Sequence, residues 1–118
     1  MSNLKIYCLC IHDELLEKVK KLNYIPVALG ENNYQDGWLR DNIGKNISHK
    51  NKFYGEYSFH YWLWQNKMDT FNNNDWIGFC AYRRFWLNEK QTNSNLSFKD
   101  KILREVPEIW NNYDVILA

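Results

Sequence analysis

The stretch "LKIYCLCI" (Leu4 to Ile11) is interrupted by a single charge, Lys5. Alternating apolar and polar residues would mark a strand with one face in water. A near-continuous apolar run marks a strand covered on both faces, as in a parallel sheet. "HDELLEKVKKLN" follows, with Asp13 placed to cap a short amphipathic helix bearing Leu15, Leu16 and Val19 on one side. "YIPVALG" (Tyr24 to Gly30) is a second short strand, with Pro26 near its start. Strand, helix and strand in this order predict a right-handed parallel crossover.

Outward from there, "ENNYQDGWLRDNIGKNISHKN" (Glu31 to Asn51) has no sustained period and reads as a long polar loop. Such loops are uncommon in compact domains and are often functional. "KFYGEYSFHYWLWQNKM" reads as one helix, capped from Ser48 or Asn51. Phe53, Tyr57, His60, Tyr61 and Trp64 recur at helical spacing, and Trp62 and Leu63 make the helix apolar nearly all round, which predicts burial. "DWIGFCAYRRFW" is a third strand and "NEKQTNSNLS" a loop. "FKDKILREVPEIWNN" is a helix with a stop near Pro107, and "YDVILA" (Tyr113 to Ala118) is a fourth strand.

The composition sets limits. The 118 residues amount to one domain, and 45% hydrophobic with 17% aromatic residues can supply a core. Fifteen Lys and Arg against 14 Asp and Glu leave a formal charge of +1, without the basic footprint of a general nucleic-acid binder. Cys8, Cys10 and Cys80 form no C-x-x-C pair and read as buried free thiols of a reducing cytosol. No cleavable leader and no membrane-length apolar run is seen.

In open α/β sheets, ligands bind beyond the carboxyl ends of the strands. Three predicted strands end on polar groups: His12-Asp13, the Asn-rich loop, and Tyr82-Arg83-Arg84. Two guanidinium forks suit a diphosphate; the alternative is that one arginine faces solvent or pairs with an acid. Asp41, Asn42, Asn46, Ser48, Lys50 and Asn51 offer the groups a sugar or ribose site needs, or else an ordinary capped turn. Glu56 is either a structural ion-pair partner of Lys50, Arg83 or Arg84, or a ligand or catalytic carboxylate. His60 and the helix aromatics read as core. No metal-ligand spacing, no Asp-x-Asp and no glycine-rich phosphate loop occurs.

Taken together, "DNIGKNISHKNKFYGEYSFHYWLWQN" and "WIGFCAYRRFW" resemble a bacterial glycosyltransferase family of exopolysaccharide and capsular polysaccharide biosynthesis, catalogued as domain of unknown function 4422. The family pattern is met by Asp41, Asn42, Gly44, Asn46, Ile47, Ser48, Lys50 and Asn51. It continues through Glu56, Tyr61, Trp62, Trp64 and Asn66, and then Gly78, Cys80, Tyr82, Arg83, Arg84 and Phe85. "KIYCLCIHD" and "YDVILA" fit its first strand and its Y-D-V/I-I-L segment. Ala81 and Lys45 depart from it, standing where the family often has His and Asp.

The resemblance implies a GT-A-like α/β fold, a Rossmann-type mostly parallel sheet with flanking helices. Members usually continue further, so residues 1–118 are expected to be the N-terminal, nucleotide-sugar-binding portion of one domain. It also implies a nucleotide-diphospho-sugar donor and a glycan or lipid-linked glycan acceptor. Nucleic acid is not an expected partner, and the expected location is the cytoplasm or the inner face of the membrane, with at most peripheral attachment. His12, Asn42, Asn46, Ser48, Lys50, Asn51, Tyr82, Arg83 and Arg84 are the expected donor-binding residues, and Asp41 and Glu56 the candidate catalytic carboxylates. Arginine would replace metal as the counter-charge of the departing diphosphate. No cofactor is required on these terms, and a divalent cation stays an open alternative. The competing class is a catalytically inactive nucleotide- or glycan-binding fragment.

Overall fold

The computed structural model describes residues 3–88 and 96–117. Strand β1 (Leu4–Cys10) has a parallel neighbour on each side. Its Tyr7–Cys10 register with Ile25–Ala28, which is β2, and its Leu4–Leu9 register with Trp76–Ala81, which becomes β4. A two-residue strand β3 (Leu39–Arg40) adds to β2, giving the order β3-β2-β1-β4 with every pairing parallel.

The alternation along β1 explains its apolar run. Ile6, Cys8 and Cys10 enter a cluster with Leu16, Val19 and Leu22 on one face. Tyr7 and Leu9 enter a second cluster with Phe59, Trp62 and Leu63 on the other. Helix α1 (Leu16–Lys21) therefore covers one face, and α3 (Tyr57–Lys67) the opposite face. A central strand with both faces buried needs apolar residues at both parities.

Several expectations change. Asp13 does not cap α1. It lies in a 3-10 turn (Asp13–Leu15), and its Oδ1 accepts from Gln35 N at 3.0 Å and Trp38 Nε1 at 2.9 Å. The polar loop contains β3, too short to leave a period. The aromatic helix is two helices, α2 (Asn51–Tyr54) and α3, because Gly55 takes φ +56° and breaks the backbone between them. No side-chain cap from Ser48 or Asn51 is formed. Nor is α3 buried all round: Tyr57 is 65% and Trp64 63% exposed.

Beyond β4 the expected long helix is confined to α4 (Phe98–Lys101). Ile102 then turns extended to bridge Leu87, and a 3-10 turn (Glu108–Asn112) begins after Pro107. Of the loop expected before α4, residues 89–95 lie outside the described residues. Residues 113–117 form no strand; Tyr113 N instead closes on the Trp110 carbonyl at 2.9 Å. Trp110 packs on Trp76 and Trp86, and Trp86 Nε1 donates to the Phe79 carbonyl at 3.0 Å. Indoles rather than a further strand thus meet this part of β4. Among the described residues no helix is long and apolar enough to cross a membrane.

The three thiols are unbridged. A hydrogen bond with Cys10 pulls the Cys8 thiol down, but the bond with Cys80 and burial outweigh it and push the thiol up to about 12. Cys10 is raised by its bond with Cys8 and by burial. The thiolate is the reactive species, and both β1 cysteines are fully buried. A disulfide reagent at neutral pH should therefore modify one thiol in the native chain, the partly exposed Cys80. Cys80→Ser should react only after unfolding, and fast labelling of that variant would contradict this picture.

Candidate functional site

All four strands run the same way, so their carboxyl ends share one edge. In sheet order that edge carries Asp41 after β3, Gly30 after β2, His12 after β1 and Tyr82 after β4. The chain steps from β1 to β2 to β3 in one direction and returns past β1 to place β4 on its other side. That reversal lies between β1 and β4. The strand ends on the two sides of such a reversal leave a crevice between them, the usual ligand position in such sheets.

His12 and Tyr82 flank this crevice. His12 Nε2 and the Tyr82 hydroxyl are 3.3 Å apart, with the rings edge-to-face at 5.0 Å. Arg83 Nη2 donates to the Tyr82 oxygen at 2.7 Å, and its guanidinium lies 5.0 Å from that ring. Accepting from Arg83 leaves the phenol proton free for His12. A chain of polar contacts thus runs from the end of β4 to the loop after β1. Tyr82 and Arg83 sit in a tight turn closed by Arg84 N donating to Ala81 O at 3.0 Å. Both arginines are exposed, and among the described residues neither pairs with a carboxylate. They serve different walls: Arg83 stands against Tyr82, whereas Arg84 lines a cavity of about 1280 Å³ together with Glu56, His60 and Phe79.

The Asn-rich loop has a different character. Asp41 is fully buried, and its carboxyl accepts three hydrogen bonds: Gly30 N at 3.1 Å, Ser48 Oγ at 2.6 Å and Ser58 Oγ at 2.5 Å. Asn51 Nδ2 reaches both Ser58 Oγ at 3.0 Å and the Gly55 carbonyl at 2.8 Å. Asn46 is spent locally, donating to Gly44 O and accepting from Ser48 N. Trp62 Nε1 holds the Ile43 carbonyl at 2.6 Å, and Asn66 Nδ2 holds that of Lys45 at 2.8 Å. Of the expected donor-binding groups in this loop, only Asn42 and Lys50 are exposed and uncommitted among the described residues. The others fix the loop to β2 and α3.

Two residues of this region were not singled out from the sequence. Ser58 carries the α3 end of the Asp41 network. Arg40 donates through Nη2 to the Gly30 and Asn32 carbonyls at 2.7 and 3.2 Å, clamping the turn after β2. Neither shows a motif; the serine is one polar residue in an aromatic helix, the only signal available. His60 packs edge-on against Phe79 at 4.3 Å, in keeping with a core position, although its helix end borders the cavity. Among the described residues no three His, Cys, Asp or Glu side chains are grouped as a metal site requires.

An all-parallel sheet covered on both faces, with a polar crevice at its reversal point, defines an α/β domain of parallel-sheet type. The chain belongs to the family described as Domain of unknown function (DUF4422), whose model matches residues 5–118. Neither curated proteins nor solved structures give a match.

Asp41→Ala would leave a buried amide and two hydroxyls without an acceptor, at about 1–3 kcal/mol for each group that finds no substitute. Urea unfolding should show a loss of at least about 3 kcal/mol, and under about 1 kcal/mol would mean water replaces the carboxyl. At Gly44 (φ +75°) an added Cβ would stand 2.6 Å from Asn66 Oδ1, so Gly44→Ala should also destabilise, and Asn66→Ala should relieve part of that cost. Burial holds His60 below its ordinary 6.5, against the opposing field of Glu56. The unfolded chain then takes up the proton more readily. This contribution is complete above about 6.5 and is lost as pH falls through that value toward the lower folded one. Melting temperatures between pH 7.5 and 5.5 should fall more steeply for the parent than for His60→Gln.

Proposed function

We propose that the crevice between β1 and β4 binds the diphosphate of a nucleotide-sugar donor, and that the chain acts in glycosyl transfer to a glycan or lipid-linked glycan acceptor. The observation that carries this reading is the Arg83–Tyr82–His12 contact at the sheet's reversal point, flanked by two guanidinium groups that no carboxylate of the described residues neutralises. To meet a phosphate, Arg83 has at most a neutral hydrogen bond to Tyr82 to exchange, and no ion pair among the described residues must first be broken. Family membership supports the reading through the resemblance of its motifs to polysaccharide glycosyltransferases.

Each residue takes a role from its surroundings. Arg83 is held by Tyr82 and faces the β1 side, and Arg84 approaches from the cavity wall. Their charges stabilise the negative charge that grows on the diphosphate as the sugar–oxygen bond breaks. The transferred sugar gains oxocarbenium character, and in an inverting reaction a carboxylate takes the acceptor proton. Glu56 is exposed and shares the cavity with Arg84, so it is assigned that role. Asp41, with both oxygens engaged and no exposure, is assigned the positioning of the loop that presents Asn42 and Lys50.

Isothermal titration with UDP-, GDP- and dTDP-sugars tests this directly. Binding of at least one is expected, weakened about tenfold or more by Arg83→Ala or Arg84→Ala, as loss of a charge-assisted hydrogen bond of roughly 1.5–3 kcal/mol requires. Affinity should persist in EDTA. Glu56→Gln should bind normally while losing transfer. Titrations identical in the parent and both arginine variants would overturn the assignment.

A further inference from the structure

Helix α3 is apolar on two opposite sides. Phe59, Trp62 and Leu63 face the sheet. Tyr57, Tyr61, Trp64 and Met68 follow at intervals of four, three and four residues and form a second stripe on the far side, about 16 Å long at 1.5 Å per residue. Tyr57, Trp64 and Met68 are 65, 63 and 53% exposed, and Phe53 at the α2 end reaches 77%. Tyr61 and Trp64 contact edge-to-face at 6.0 Å, so the stripe is a continuous surface. Among the described residues its rings contact only other residues of α3, and the core beneath α3 is closed without it. Single exposed apolar residues are ordinary, but an aligned row is a binding surface.

The charges around the row select its partner. From Lys45 to Thr70 four lysines (Lys45, Lys50, Lys52, Lys67) face two acids, Glu56 and Asp69, so this region is +2 while the whole chain is only +1. The Lys52 ammonium lies 5.1 Å from the Phe53 ring, and that of Lys67 5.9 Å from the Trp62 ring. Lys52 thus accompanies an exposed ring, and the exposed Lys67 covers the buried Trp62 from the solvent side. Tyr, Trp and Phe with a basic rim match the bilayer interface, where the rings sit at headgroup depth and ammonium groups meet anionic lipid. A second copy of the chain would instead bring two positive regions together.

We infer that the outer face of α2 and α3 is a docking surface for an anionic bilayer. It binds at the interface without crossing it. The first turn of α3 is tied through Ser58 to Asp41 at the carboxyl edge of the sheet. Docking would therefore set the Asp41 end of that edge nearest the membrane. The inference stands on the exposed row and its lysines, independently of donor binding.

Co-sedimentation of the full chain with vesicles tests it, comparing equal parts phosphatidylglycerol and phosphatidylcholine with phosphatidylcholine alone. Binding to the mixed vesicles is expected, weakened by salt, and weak or absent on the neutral ones. Phe53→Glu/Trp64→Glu and Lys50→Glu/Lys52→Glu should each lower the partition coefficient about tenfold or more. These side chains are exposed, and circular dichroism melts confirm that each variant folds. Equal sedimentation of parent and variants would overturn the inference, as would equal binding to neutral vesicles. A vesicle-free dimer in analytical ultracentrifugation that Trp64→Glu dissolves would also overturn it, assigning the face to self-association.

Discussion

One buried carboxyl organises the carboxyl edge of the sheet. Asp41 follows the two-residue strand β3 and gathers an amide from the end of β2, a hydroxyl from the loop and a hydroxyl from the first turns of α3. A carboxyl in that position is costly to bury unless every lone pair it offers is used. The three donors come from the end of β2, the loop and α3, so the group acts as a cross-link between the sheet and the helix above it. β3 is too short to hold its own place by pairing, and it depends on this junction. The glycine at 30 belongs to the same requirement: its φ of +82° turns the amide toward Asp41, and a Cβ there would press on Asn51 at 3.3 Å.

The other end of the edge is built by different means. His12, Tyr82 and Arg83 touch through polar contacts in the open rather than through a closed network. The contrast separates the two halves of the motif set. In the Asn-rich loop most polar groups are consumed in holding backbone, which makes the loop a scaffold. At the β1–β4 crevice the guanidinium charges meet no carboxylate among the described residues, so a ligand's charge can be met there. The reversal of strand order explains why that place is there, since the connections on its two sides, α1 after β1 and α3 before β4, lie on opposite faces of the sheet.

The cavity beside β4 links the crevice to the rest of the chain. Its walls bring Glu56 at the start of α3 and Arg84 after β4 within one space, although 28 positions separate them in sequence. Helix α3 thereby borders three regions at once: the Asp41 junction at its first turn, the cavity along the His60 side, and the exposed aromatic row behind.

Much of this architecture was legible in the chain. Continuous apolarity in Leu4–Ile11 marked a strand buried on both faces, and strand, helix, strand dictated the parallel crossover; both follow from local periodicity and the handedness of connections. The polar strand endings likewise foretold a shared edge. The remainder depended on distance. A two-residue β3 leaves no period to detect. Whether Asp41, Asn46, Ser48 and Asn51 face a ligand or one another is decided by which backbone groups arrive beside them. An aromatic helix with two apolar stripes does not announce which one the sheet will cover. "YDVILA" has strand-forming residues, yet residues 113–117 form no strand among the described residues, because propensity alone does not bring a segment into register with an edge. The sequence by itself determined the central strand, the crossover and the chemical types at the edge, since these are set within a few residues of chain. Only the tertiary structure decided which polar groups are spent internally and which stay free, since hydrogen-bond partners are matters of spatial proximity.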